Sequence, residues 1–256
     1  MTFAVSPAAY DRFMGRFSEP LADRFVERAG LRPGHRALDV GCGPGALTSR
    51  LVQLLGTDHV SAVDPSPGFA DAVRARLPGI EVRQASAEDL PFGDETFDVA
   101  LAQLVVHFMK DPVTGIGEMA RVTRQGGLVA ASVWDHEGGT GPLAVFWQAV
   151  RDVSPAAPDE SGLAGTGQGQ LTEIFVRAGL QDVQEDRLTV SVAFATFEDW
   201  WEPFSLGVGP AGKYVASLDE RGRSALRERC AELLPDAPFE ISASAWYAVG
   251  HPVAHT

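Results

Sequence analysis

The chain has 256 residues, 45% hydrophobic and 21% charged, the balance of a globular protein able to bury a sizeable core. Its 34 acidic and 21 basic residues leave a formal net charge of −13, a field that opposes nucleic acid and anionic membranes and favours small-molecule partners. Two cysteines, Cys42 and Cys230, build neither a disulfide framework nor a metal cluster, and no leader-like or membrane-length apolar run is read, so a cytoplasmic protein without a metal is expected.

The first stretch with character is Tyr10-Asp11-Arg12-Phe13-Met14-Gly15-Arg16-Phe17-Ser18. Its aromatic, thioether and guanidinium groups around a glycine read as a mobile flap over a ligand, or as a frayed amphipathic terminus. A helix then runs from near Ser18 to Gly30, with Leu21, Phe25, Val26 and Ala29 on one face to pack on a sheet.

Ala37-Leu38-Asp39-Val40 is a short apolar strand that enters Gly41-Cys42-Gly43-Pro44-Gly45, and a helical pattern from Leu47 to Leu55 follows. Alternating glycines permit positive φ and let a ligand lie against the backbone, while the helix start adds free N–H donors. Gly41, Gly43 and Ala46 satisfy the dinucleotide fingerprint, which makes an NAD-dependent oxidoreductase the first rival. Asp39 weighs against it, because a strand-end carboxylate repels a pyrophosphate but attracts an ammonium or sulfonium. Pro44 removes a donor from the loop. Cys42 reads as a small loop residue.

Asp39-Val40-Gly41-Cys42-Gly43-Pro44-Gly45 resembles the acidic-x-G-x-G-x-G motif of class I S-adenosylmethionine-dependent methyltransferases, and the later stretches are similar to the small-molecule, quinone-pathway-like branch. The resemblance implies S-adenosylmethionine as cofactor, held by Asp39, Gly41, Cys42, Gly43 and Gly45. It also places Tyr10 and Arg16 over the methionine end.

His59 to Asp64 is a second strand, stopped by Pro65. Asp64 follows Gly45 by 19 residues, the spacing at which a carboxylate closes on a ribose diol, so Asp64 and Pro65 join the expected site. A helix from Phe69 to Leu77 leads to strand Ile80–Gln84. The resemblance assigns Ser86 and Ala87 to the adenine ring, with Ser86 standing where relatives usually carry Asp. Thr96 to Val106 reads as one buried parallel strand, and the loop beyond it should face the ligands. Gln103 is expected beside the methionine portion. His107, with a pKa near working pH, is a candidate base.

A helix from Val113 to Arg124 and a strand from Leu128 to Trp134 complete five alternating units, the pattern of a doubly wound parallel sheet. A helix at Leu143–Val153, a loop at Pro155–Gly169 and a helix at Leu171–Ala178 precede strand Leu188–Phe194. A helical excursion over Phe197–Leu234 precedes strand Phe239–Val249. With the resemblance, the fold is a Rossmann-like seven-stranded, mostly parallel α/β sheet with an antiparallel final strand and a helical cap. One domain spans 1–256: an N-terminal lid and helix (1–30), a cofactor half (31–135), and cap or acceptor elements (136–180 and 196–235). All five tryptophans lie at or beyond Trp134, as an apolar or aromatic acceptor pocket or as cap packing. His136 joins His107 as candidate base. The expected reaction is methyl transfer to a small apolar or aromatic acceptor, with no nucleic-acid or membrane partner. A cofactor-binding protein without methyl transfer stays open beside it.

Overall fold

A computed structural model describes residues 7–157 and 159–253. The outermost ends of the expected lid and final segment, 1–6 and 254–256, and position 158 of the expected loop lie outside the described residues. In chain order the helices are α1 (Pro7–Tyr10), α2 (Arg16–Ala29), α3 (Ala46–Leu55), α4 (Pro67–Arg76), α5 (Pro112–Val122), α6 (Ala144–Val153), α7 (Gln170–Arg177), α8 (Phe197–Trp201), α9 (Gly209–Ser217) and α10 (Glu220–Leu233). The strands are β1 (Ala37–Val40), β2 (Val60–Asp64), β3 (Glu81–Gln84), β4 (Phe97–Gln103), β5 (Thr123–Trp134), β6 (Gln181–Phe194) and β7 (Phe239–His251).

They form one sheet in the order β3-β2-β1-β4-β5-β7-β6. β1 pairs in parallel with β2 and β4, and only β7 runs against its neighbours. The strand order reverses between β1 and β4, which opens a crevice at their carboxyl ends. β1 is buried throughout, as a central strand covered on both faces must be. Ala37 faces α2 and α3, whereas Leu38 and Val40 face the layer containing α5 and α7. This alternation follows from the period of two along a strand, and it points Asp39 to the same side as Ala37.

β5 and β6 begin earlier than expected, at Thr123 and Gln181, and three other features of the N-terminal segment, β4 and α7 have an evident physical reason. The expected flap is helical: α1, a π turn at Asp11–Gly15 and α2 run on without a break, because Phe13 and Met14 are buried in the core. The apolar run after Phe97 stops pairing at Gln103, since Leu104 turns to φ 61 and Val106–Phe108 close a 3₁₀ turn. The segment over α7 inserts Leu171, Ile174 and Phe175 beside Ile116 and Met119 of α5, so it covers the sheet's second face. Over the cavity side, Phe146 of α6 stacks on Phe204 at 4.5 Å and Phe13 meets Phe204 edge-on at 5.1 Å, tying the N-terminal helices to the cap. Among the described residues no helix is long and apolar enough to cross a membrane.

Candidate functional site

A cavity lies at the carboxyl ends of β1, β2 and β4. The first glycine loop is stitched to the end of β2: the N–H groups of Gly41 and Cys42 both donate to the Val63 carbonyl, at 2.8 and 2.9 Å. Gly43 N–H donates to Asp64 Oδ2 at 2.9 Å, and Ser66 N–H donates to Oδ1 at 2.8 Å. Burial raises the Asp64 pKa from its ordinary value, opposed by these two donors. A carboxylate has about four lone-pair sites, so both oxygens keep a free acceptor position on the cavity side.

Two glycines are there for different reasons. Gly41 has φ +72, and a Cβ on it would come within 2.5 Å of both Val105 methyls. Gly43 has φ +52 with nothing within 4 Å of its absent side chain, so the backbone itself is the cavity floor. Asp39 is 1% exposed and accepts from Thr48 Oγ1 at 2.6 Å. Burial pushes its pKa from 3.8 to about 7, with the Thr48 bond opposing and the Asp64 charge adding to the rise. Gln103 Nε2 donates to the Ser18 carbonyl at 2.8 Å, which leaves its Oε1 buried without a partner.

Of the sequence-predicted residues, Tyr10, Asp39, Gly41, Cys42, Gly43, Asp64, Pro65, Ser86, Ala87 and Gln103 line this cavity. Gly45 caps the start of α3 at φ 98 behind the wall. Arg16 is directed elsewhere: its guanidinium grips both oxygens of Asp199 and lies 5.1 Å over the Phe194 ring. Further wall residues beyond the predicted set include Phe69, which meets Tyr10 edge-on at 5.6 Å, and Glu88, which accepts from Lys110 N–H at 2.7 Å. The charged walls are Asp39, Asp64 and Glu88 against one Lys110. That balance suits a cationic ligand better than a pyrophosphate.

His107 and His136 sit apart from this cavity, in a second chamber with their ring centroids 6.1 Å apart. Tyr10, Leu104 and Phe108 form a wall shared by both chambers. Of the five tryptophans only Trp134 lines the second chamber. Trp147 Nε1 donates at 2.8 Å to Glu160 Oε2, and Glu160 is 4% exposed with its pKa raised by burial to about 7. Glu160 is a chamber residue that the sequence reading passed over.

Burial, with His136 nearby, drives the His107 pKa from 6.5 down to about 3. The unfolded chain takes up a proton below pH 6.5, whereas the folded imidazole stays neutral until about pH 3, so this group's stabilisation is lost as pH falls through that window. Between pH 7 and 5 the loss is up to about 2 kcal/mol. Urea unfolding of His107→Gln should show a correspondingly smaller drop over the same interval; an unchanged drop would mean the ring protonates freely in the folded protein.

Comparison with known proteins agrees with this geometry. Residues 38–131 match the family model described as "Methyltransferase domain". An uncharacterized protein of Mycobacterium tuberculosis is 30% identical over 237 residues, covering 86% of this chain and 83% of that one. The 2-methyl-6-phytyl-1,4-hydroquinone methyltransferase 2 of Oryza sativa subsp. japonica is 31% identical over 180 residues, 68% of this chain and 47% of the relative. The chain also spans about half the length, 52%, of an uncharacterized methyltransferase of Mycobacterium bovis at 36% identity. A putative methyltransferase from Bacillus halodurans shares the fold, with a TM-score of 0.57 at 16% identity over 91% of this chain and 99% of that one. The glycine loop, the strand order and these relatives together make the chain a member of the class I S-adenosylmethionine-dependent methyltransferase family.

Proposed function

We propose that the protein transfers a methyl group from S-adenosylmethionine to a small, apolar or aromatic acceptor. The observation that carries the reading is the wall shared by the two chambers: Tyr10, Leu104 and Phe108 stand between a cavity that carries Asp39, Asp64 and Glu88 and a second, almost wholly apolar one. A cofactor on one side and an acceptor on the other would meet there.

The residues present fit the cofactor. Asp64 would take the ribose hydroxyls on its two free acceptor positions. Gly41 and Gly43 would let the nucleoside approach the backbone, and Ser86 and Ala87 would receive the adenine ring. Gln103 Oε1 is a buried acceptor without a donor, and Asp39 is a buried carboxyl without a cation; an ammonium group answers both. When bound, S-adenosylmethionine supplies an electrophilic methyl on a sulfonium. The chain's part is then to hold the acceptor in line, to exclude water and to accept a proton where the acceptor must lose one. His107 and His136 are the candidate groups for that proton because both face the second chamber; burial lowers their pKa values to about 3 and about 4, so each is unprotonated at pH 7 but a weak base unless bound ligands raise its pKa. Arg16, tied to Asp199, would act on the lid rather than on the cofactor.

Calorimetry with S-adenosylmethionine and with NAD, side by side on the full chain, tests the cofactor half of this proposal. One molecule of S-adenosylmethionine per chain is expected, and no heat from NAD. Saturation by NAD alone would overturn it.

A further inference from the structure

The apolar second chamber adjoins a polar one. His136 and Glu160 line it together with a further cavity that holds Asp135, Glu137, Arg151 and Asp159. Glu160 therefore stands where the two meet, and it is only 4% exposed. One carboxylate oxygen, Oε2, accepts from Trp147 Nε1 at 2.8 Å. The other, Oε1, has no hydrogen-bond partner among the described residues and is not sealed in packing, so it faces the space that the residue lines. A carboxylate withdrawn from water carries a desolvation cost, and a cation brought to it offsets that cost.

The described residues around Glu160 supply no such cation. Arg151 of α6 is taken by Asp159 at 3.3 Å, and Arg187 of β6 is taken by Asp135 at 2.6 Å. Asp135 also accepts from Thr140 Oγ1 and Gly138 N–H, whereas Glu137 is exposed and accepts from Gln170 Nε2. His136 and His107, which line the second chamber, are both neutral at pH 7. Glu160 is thus the buried carboxyl of the junction left without a positive partner. The field there is negative: burial and then the Asp159 charge raise the Glu160 pKa to about 7, and the Asp135 and Asp159 charges oppose the larger lowering of His136 by burial.

Beside this carboxyl the chamber wall is apolar over Phe13, Met14, Leu143, Val208 and Ala211. A hydrocarbon would suit the wall and leave Oε1 unmet. An alcohol would give Oε1 one hydrogen bond without balancing the charge, and an anion would be repelled by Asp159 and Asp135. An amine on an apolar body answers both the wall and the carboxylate. Resting on the methyl-transfer reading above, we propose that the acceptor is a small apolar or aromatic amine whose ammonium group pairs with Glu160 where the second chamber meets the polar cavity. A nitrogen held as ammonium has no lone pair, so this group anchors the acceptor and the methyl goes to another of its atoms.

The test uses the full chain saturated with S-adenosylhomocysteine, titrated calorimetrically with benzylamine, benzyl alcohol and toluene. Benzylamine should bind at least about tenfold more tightly than either neutral analogue. Its binding at pH 7 should also release about half a proton, because an ammonium beside Glu160 holds ionised a carboxyl that titrates near 7. Titrations in two buffers of different ionisation heat read that proton, and they need no variant. Glu160→Gln keeps the shape and an oxygen for Trp147 Nε1 but removes the charge. It should weaken benzylamine at least about tenfold, abolish the proton release and leave toluene unchanged, with unaltered S-adenosylhomocysteine binding showing that the variant is folded. Benzyl alcohol or toluene binding as tightly as benzylamine, benzylamine affinity unmoved in Glu160→Gln, or no proton released would overturn the assignment. Benzylamine without measurable affinity would overturn it too. Selective benzylamine binding with no methyl transfer to any amine supports the site and counts instead against the methyl-transfer reading. Failure of S-adenosylhomocysteine to bind would also count against that reading alone, and the amine titrations are then read on the chain by itself.

Discussion

Asp64→Ala is expected to weaken S-adenosylmethionine binding about 100-fold, which corresponds to about 2.7 kcal/mol. Two losses add up. On the proposed reading the carboxylate would give the ribose two acceptor positions, and hydrogen bonds to a charged group are each worth about 1.5–3 kcal/mol. It also fixes the floor beneath the nucleoside by accepting from Gly43 N–H and Ser66 N–H, on two different loops. Asp64→Asn keeps one acceptor oxygen and similar shape, but its amide NH2 cannot accept, so either Gly43 N–H or Ser66 N–H loses its partner together with one ribose acceptor; about tenfold weaker binding and a lowered thermal midpoint are expected. Calorimetry on the three proteins reads the series directly. Binding within twofold of wild type in Asp64→Ala would remove this residue from the site.

Gly41→Ala is expected to destabilise the fold by about 2–4 kcal/mol and to abolish measurable cofactor binding. One part of the cost is backbone: φ +72 is open to glycine and costs about 1–2 kcal/mol for alanine. The other part is steric, since the new Cβ would press to 2.5 Å against both Val105 methyls. Val105 follows Leu104 at the turn out of β4, so relief by moving it would displace the wall that both chambers share. Adding Val105→Ala to Gly41→Ala should recover the steric part and not the backbone part. Urea midpoints for the two single variants and the double variant give the coupling. Additive losses would show that the two side chains never meet.

The central half of the molecule was legible in the sequence because its signals are local. A carboxylate, alternating glycines and a helix start are consecutive between Asp39 and Ala46, and Asp64 lies one βαβ unit later. The doubly wound parallel sheet followed from the alternation of elements, with the antiparallel final strand supplied by family resemblance, whereas the strand order is a finding of the structure. What could not be read depends on distant pairing or on backbone angle. Arg16 suggested a ligand contact, yet its carboxylate partner is Asp199, 183 residues away. Leu104 belongs to an unbroken apolar run, and nothing in its side chain announces φ 61. Glu160 sits in a Pro-, Gly- and Ser-rich stretch without periodicity, and its burial comes from Trp147 on a helix before the loop. Of the five tryptophans of the second half only Trp134 lines the second chamber, a distinction that composition cannot make because apolar rings fill caps and cavities by the same driving force.

Methyl transfer itself is tested most directly with S-adenosylmethionine carrying a labelled methyl group, incubated with the full chain and a set of small apolar and aromatic acceptors. The account predicts label in an organic extract from at least one acceptor, with an equal amount of S-adenosylhomocysteine formed and both lost in Asp64→Ala. Saturable S-adenosylmethionine binding with no label leaving the cofactor, for any acceptor in the set, would contradict it and point to a binding protein built on the methyltransferase fold.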